Sequence, residues 1–229
     1  GISSMAVDDE YTKSLLHWEG EDESTDFVDE AGHTWIRAGM LPYDKQLTTD
    51  AARFGNTSLD ARANNNEFLE LYGGVPEELE LGGDDWAIET FVRFTEESYW
   101  RRFFQFFRQH NVDFIRLDME EWAEKEFYFY MRFYASGTHS GHVYIAEPDF
   151  EPFILNYNQW YHLLLCRSGN VYRFFIGGQK VYEHDFGAHT FVLEGGYLQI
   201  FQADKMFVDE TRISIGTSPH TENFTPPTH

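Results

Sequence analysis

The chain has 229 residues, 42% of them hydrophobic and 18% aromatic, and carries a formal charge of −22 from 39 acids against 17 bases. That excess of carboxylates argues against a nucleic-acid partner, which needs clustered Lys and Arg, and no apolar run approaches the ~18 residues of a membrane span, so a soluble protein without membrane insertion is expected. The length suits one large β domain or two small ones, able to bury roughly 70 to 75% of the unfolded surface.

The start, GISSMAVDDEYTK, has no basic segment followed by an apolar one, so no signal peptide is expected, and residues 1–13 read as an N-terminal arm or vector remnant. From there β-rich runs alternate with turn-forming clusters: SLLHWE, HTWIR, EFLELYG, WAIETFVRF, RRFFQFFR, VDFIRLDM, EFYFYMRFY, HVYIA, QWYHLLLCR, NVYRFFIG, QKVYEHD, YLQIFQ and MFVDETRISI. This pattern predicts an all-β antiparallel sandwich. MEEWAEKE, between the sixth and seventh runs, reads as a loop. Cys166, the sole cysteine, excludes an internal disulfide or Cys-based zinc site; its place in LLLCR predicts a buried small hydrophobe, in a protein folded in a reducing cytoplasm. Arg167 to Asn170 has turn chemistry, and Gly177-Gly178 supplies the positive φ angles of a two-residue hairpin. The tail NFTPPTH reads as extended.

Two runs carry candidate chemistry by parity. Alternate residues of a strand point to opposite faces. In EFYFYMRFY, Phe127, Phe129, Met131 and Phe133 form a core face, while Tyr128, Tyr130, Arg132 and Tyr134 form a polar aromatic one. VDFIRLDM adds Phe114, Arg116 and Asp118 opposite its apolar residues, and WAIETFVRF adds Glu89, Phe91 and Arg93. Sugar rings stack on aromatic faces and guanidinium or carboxylate groups bind hydroxyls, so this surface suits a glycan, with Trp100 and Trp122 at its rim. Ordinary cross-strand packing, or cover by a loop or another subunit of a homo-oligomer, is the alternative. In MFVDETRISI, strict alternation sets Asp209 with Phe207, Ile213 and Ile215 on the apolar face, where a carboxylate needs backbone donors, a cation or a metal.

FVDETRIS followed by NFTPPT, with LLHWEGE, FVDEAGHTW, ARFGNTSLDA, EFLELYGG, WAIETFVRF and NQWYHLLLCRSGNVYRFFIGGQKV in order before them, resembles the laminin-G-like domains of the concanavalin A-like lectin/glucanase superfamily over about residues 14 to 228. The resemblance implies a jelly roll of two antiparallel sheets over residues 14–217, followed by an extended tail at 218–229. Such domains are frequent in bacteriophage structural and tail-associated proteins. It also implies a structural calcium held by Glu19, the backbone of Gly55 and Asn56, and Asp209, which would clasp the first strand, a turn and the last strand. Glu19 stands where such domains more often have Asp. The alternative for Asp209 is backbone N–H donors from the Gly55 turn, without a metal.

Glucanases of the superfamily carry Glu-x-Asp-x-x-Glu on one strand. Here the matching run is Arg116-Leu-Asp118-Met-Glu120-Glu121, with arginine at the nucleophile's position, so no glucanase activity is expected. The expected function is a non-catalytic binding module of a phage or phage-like particle, on a virion or extracellular surface, attaching to a surface glycan or a neighbouring virion protein. A capsid or tail decoration protein is the alternative, and a glycoside hydrolase the third.

Overall fold

The computed structural model describes residues 10–108, 113–135, 139–145 and 150–228, with Asp8, Asp9 and most of the expected N-terminal arm outside them. Among the described residues, seventeen strands form two antiparallel sheets packed face to face, the expected jelly-roll-like sandwich, with a 3₁₀ turn at Glu77–Leu79. In chain order the strands are β1 (Thr12–Leu16), β2 (Phe27–Val28), β3 (Thr34–Gly39), β4 (Gln46–Thr48), β5 (Ser58–Ala61), β6 (Glu67–Leu71), β7 (Trp86–Phe94), β8 (Trp100–Phe107) and β9 (Phe114–Ala123). They continue as β10 (Glu126–Ala135), β11 (His139–Ile145), β12 (Phe153–Ile154), β13 (Trp160–Ser168), β14 (Val171–Ile176), β15 (Gln179–Asp185), β16 (Tyr197–Gln202) and β17 (Met206–Ile215). Each of the thirteen expected runs forms a strand. The four others, β2, β4, β5 and β12, have four residues or fewer, too few to show a period. Among the described residues no helix is long and apolar enough to cross a membrane.

One sheet runs β15-β14-β13-β7-β17-β5-β4, with β1 also paired to β17. The other runs β11-β10-β9-β8-β16-β6-β3-β2, with β12 beside β10. Aromatic rings fill the space between them: Phe94 meets Phe127 at 4.8 Å, Phe129 meets Phe174 at 4.9 Å, and Phe133 stacks on Tyr172 at 5.6 Å. Inner faces of two stacked sheets lie ~10 Å apart, a gap that large flat side chains span from both sides; this accounts for the placement of so many Phe residues. Cys166 is buried, as expected, though on the outer side of its sheet with Ala87, Leu164 and Phe175. The Gly177-Gly178 turn joins β14 to β15 with φ of 58° and 81°. The segment expected as a loop, MEEWAEKE, is strand on both sides of a two-residue turn at Glu124-Lys125.

β17 is the strand on which its sheet is organised. Along one edge it pairs with β7; its other edge is shared, Met206 to Val208 with β5 and Thr211 to Ser214 with β1. Between these stretches lies a β-bulge, with Asp209 opposite Phe91 and Arg212 opposite Glu89, so two residues of β17 face the single Thr90. The extra residue reverses the parity. Met206 and Val208 face the core before the bulge, Ile213 and Ile215 after it. Asp209 therefore does not share the inner face with Ile213 and Ile215 as alternation predicts; it belongs to the outer face with Phe207 and Arg212.

Asp209 is nonetheless fully buried, because the Ala51–Asn56 loop folds over that face. Its Oδ2 accepts from Arg53 N (2.7 Å) and Phe54 N (3.0 Å), and Oδ1 accepts from Glu210 N (2.9 Å). The Phe54 ring rests edge-on against Phe91, 5.1 Å away, in a small cluster with Leu15. Beside it, Glu19 accepts from Asn56 N at 3.1 Å, while Glu210 and Glu30 both hold His17, at 3.0 and 2.5 Å. The first strand, the loop and the last strand are thus joined by carboxylates.

The tail is not free. Phe224 stacks on His220 (3.6 Å) and meets Phe175 and His162 edge-on, Phe224 N donates to Gly178 O (2.9 Å), and Asn223 Oδ1 accepts from Lys180 N (2.8 Å). It lies back across the outer face of the eight-stranded sheet.

Gly55 has φ +58°, and a Cβ there would collide with the Glu19 carboxylate. Gly55→Ala is expected to destabilise the fold by about 1 to 3 kcal/mol, measured by urea unfolding. The clasp also sets a pH dependence. The Glu210 hydrogen bond, with help from Glu30, raises His17 to about 9, and burial raises Asp209 to about 8 against the pull of its backbone donors. Both groups hold protons more tightly when folded. Asp209's contribution is therefore full below its unfolded pKa near 4 and fades up to about 8, and that of His17 is full below 6.5 and lost as pH rises through 9. Stability is expected to fall between pH 4 and 9, with His17→Gln flattening the upper part of the curve.

Candidate functional site

The outer faces of the two sheets differ. On the eight-stranded sheet the outward residues are covered by the Ala51–Asn56 loop at one end and by the tail at the other. Glu89 and Arg93 lie on this covered face. They do not join the β9 and β10 residues as expected, because β7 pairs with β13 and β17 in the opposite sheet. Glu89 is buried between His162 Nε2 (2.8 Å) and Arg212 Nε (2.6 Å). Burial pushes its carboxyl up, but these two partners prevail and hold it at about 2. Arg93 sits beside the Phe207 ring, at 5.9 Å.

The nine-stranded sheet presents the other expected residues together. Cross-strand register sets out two adjacent rows. One runs Arg102, Asp118, Tyr130, Tyr144 over β8 to β11; the next runs Gln105, Arg116, Arg132, His142, and continues the other way through Gln199, Glu70 and Ile36 to β3. Seven strands thus share one mainly polar row. Next along, Trp100, Glu120 and Tyr128 are in register on one side, and Phe107, Phe114 and Tyr134 on the other.

Asp118 organises the centre. It is fully buried and accepts from Arg102 Nε at 2.7 Å; Arg116 Nε lies 3.2 Å from its other oxygen, but off the hydrogen-bond line, so that buried N–H has no acceptor. Trp100 Nε1 donates to the Tyr130 hydroxyl at 3.4 Å. Burial and the Asp118 charge raise the Tyr130 phenol to about 12, which keeps it protonated. Beyond Tyr130 the rings gather. Trp122 lies 4.4 Å from Tyr128, Phe150 5.3 Å from Tyr128 and 5.5 Å from Tyr144, and Tyr130 5.5 Å from Tyr144.

These contacts change the expected roles. Tyr130 is only 8% exposed and Tyr128 7%, because Trp122, Tyr144 and Phe150 close over them. Trp122, 49% exposed, is the outermost ring. It is the extra residue of a bulge, since Phe127 pairs with Glu121 and Glu126 with Ala123, and its Nε1 donates to Glu120 at 2.8 Å. A second bulge in β8, between Arg102 and Phe104, turns Phe103 and Phe104 both toward the core and leaves Arg102 and Gln105 both outward. Strict alternation in RRFFQFFR hides this pair. Arg102, Gln105, His142, Tyr144 and Phe150 are the members that sequence reasoning missed; parity in HVYIA was the available signal for His142 and Tyr144.

The carboxylates of the glucanase-like run do not meet. Asp118 faces outward, while Glu121, three residues on, turns to the other side of the sheet and is buried against Arg101 (3.2 Å), Ser98 N (3.0 Å), Lys125 N (3.0 Å) and the Tyr157 hydroxyl.

The residues the resemblance implies for calcium do come together, but as a hydrogen-bonded turn. The Glu19 and Asp209 oxygens face N–H groups, whose positive ends repel a cation, and among the described residues no group of three or more His, Cys, Asp or Glu side chains is placed to hold a metal. Calcium requires six to eight oxygens at ~2.3 to 2.6 Å. This donor set does not fit it.

A scan of protein-family models and a search of curated proteins returned no match. Solved structures of similar fold exist. Domain 4 of AbnA, a GH43 extracellular arabinanase from Geobacillus stearothermophilus, solved with arabinotriose, superposes with a TM-score of 0.61 at 14% identity over 90% of this chain and 93% of that one. The botulinum neurotoxin serotype D ligand-binding domain, in complex with N-acetylneuraminic acid, gives 0.59 at 7% identity over 94% of this chain. A botulinum neurotoxin type C structure, described as dependent on two ganglioside molecules for cell entry, gives 0.57 at 8% identity over 90%. The chain spans about half the length of these two neurotoxin chains, 48% of each. At such identities the likeness is one of fold.

With the clasp built on N–H donors, a chelator is expected to leave the melting temperature unchanged, and millimolar calcium to add nothing. A concentration-dependent rise on adding calcium would show an ion bound to the native state.

Proposed function

We propose that this chain is a non-catalytic module that binds glycans through the outer face of its nine-stranded sheet. The carrying observation is the contrast between faces: one outer face is covered by the protein's own loop and tail, while the other holds exposed Trp122, Tyr144, Tyr134 and Phe150 beside a row of guanidinium and amide groups. Rings that stack on the C–H face of a sugar, next to donors for its hydroxyls, are the chemistry of saccharide recognition. An arabinanase domain of similar fold solved with arabinotriose supports the reading, as does a neurotoxin ligand-binding domain solved with N-acetylneuraminic acid, about half of which matches this chain. A non-catalytic role is supported by Asp118 and Glu121 lying on opposite sides of their sheet, each neutralised by arginine, whereas glycoside hydrolysis requires two carboxyl groups flanking one bond.

The setting belongs to the proposal as well: a phage or phage-like particle, with the module on its surface and a host-surface glycan as partner. That part rests on the sequence resemblance. A neighbouring virion protein covering the same face is the competing occupant.

Trp122→Ala tests the reading, because it removes an exposed platform without opening the core. Saccharide binding on a glycan array, followed by calorimetry on the best hit, is expected to weaken by at least ~10-fold, consistent with an aromatic contact contributing about 1 kcal/mol or more, while the melting temperature stays within a few degrees. Retention of no glycan by the unmodified protein would shift the face to protein assembly.

A further inference from the structure

The arginines of the open face point to a more specific ligand. Arg116 and Arg132 lie directly opposite each other on β9 and β10. Like charges in that position repel, and Arg102 adds a third guanidinium one row away. The single carboxylate among them, Asp118, is taken by Arg102 and Arg116. Arg132 has no hydrogen-bond or ion-pair partner among the described residues, and Arg116 keeps its buried Nε–H unsatisfied. Three of only 17 basic residues thus crowd two adjacent rows of a chain of charge −22. The nearest further carboxylate in register, Glu120, is engaged by Trp122. Fold stability does not account for an unpaired Arg opposite another Arg; an anion received between them does.

We infer that the ligand of this face is an acidic saccharide, its carboxylate held by Arg132 and Arg116 while its ring packs against the neighbouring aromatic cluster. This rests on the glycan reading above and narrows it. Planar guanidinium groups match a carboxylate in two-point fashion. Arg132 lies one row, about 7 Å along β10, from Tyr134 and from the row that carries the exposed Tyr144, a separation that one monosaccharide bridges. The strongly acidic remainder of the surface repels such a ligand everywhere else, so the local positive charge confers orientation as well as attraction.

Two matched pairs of probes test this by calorimetry at low and physiological salt: an oligogalacturonide against its carboxyl-reduced counterpart, and sialyllactose against lactose. At least one acidic member is expected to bind ~10-fold or more tightly than its neutral partner, more weakly at higher salt. Arg132→Gln should bring that ratio near one, by weakening the acidic member about 10-fold or more beyond any loss for its neutral partner, while the melting temperature stays within a few degrees. Equal affinity within both pairs, or an acidic preference that survives Arg132→Gln, overturns the inference while leaving the glycan reading in place. If neither these probes nor a broad neutral glycan set binds, the glycan reading falls and the inference with it.

Discussion

A carboxylate buried outside the core holds this fold together at its ends. β17 needs partners on both edges, yet its second edge is divided between two short strands separated by more than forty residues, and the chain between them must be anchored over the gap. Asp209 does this at the bulge, gathering the N–H groups of Arg53, Phe54 and Glu210. Without the bulge the carboxylate would face the hydrophobic interior, where its lost hydration could not be compensated. With it, the carboxyl group meets three backbone donors, which offset part of the cost of its burial. Glu19 and the His17 pair extend the same logic along the N-terminal strand.

That arrangement also decides which face of the sandwich is available. The loop that satisfies Asp209 covers one end of the eight-stranded sheet, and the tail anchored at Gly178 and Lys180 covers the other. Among the described residues, what remains open is the outer face of the nine-stranded sheet. Its polar row is continuous because the registers of β3, β6, β16, β8, β9, β10 and β11 all align outward side chains, and bulges in β8 and β9 are needed to bring Arg102 and Trp122 onto it. Asp118 compensates two of the three arginines, and the third, Arg132, has no partner among the described residues.

Much of this was legible from residue order. The alternation of EFYFYMRFY separated the core face from the Tyr-Arg face, the odd residues of VDFIRLDM proved to be core, and Gly177-Gly178 marked its hairpin, because each depends on the backbone geometry of a few adjacent residues. The clasp was half legible. Glu19, Gly55, Asn56 and Asp209 do assemble, but the direction of Asp209 was inferred from unbroken alternation, and one extra residue reverses it.

Local chemistry therefore determined the strands, the β class, and which residues of a single strand share a face. Tertiary structure alone decided which strands share a sheet, so Glu89 and Arg93 left the expected site for the opposite sheet and Tyr144, His142 and Phe150 entered it. It also decided that Tyr130 lies under other rings and that the tail folds back. The reason is physical: a strand's period is set by its own backbone, whereas pairing partners, bulges and covering loops depend on hydrogen bonds between residues distant in the chain, about which the neighbours in sequence carry no information.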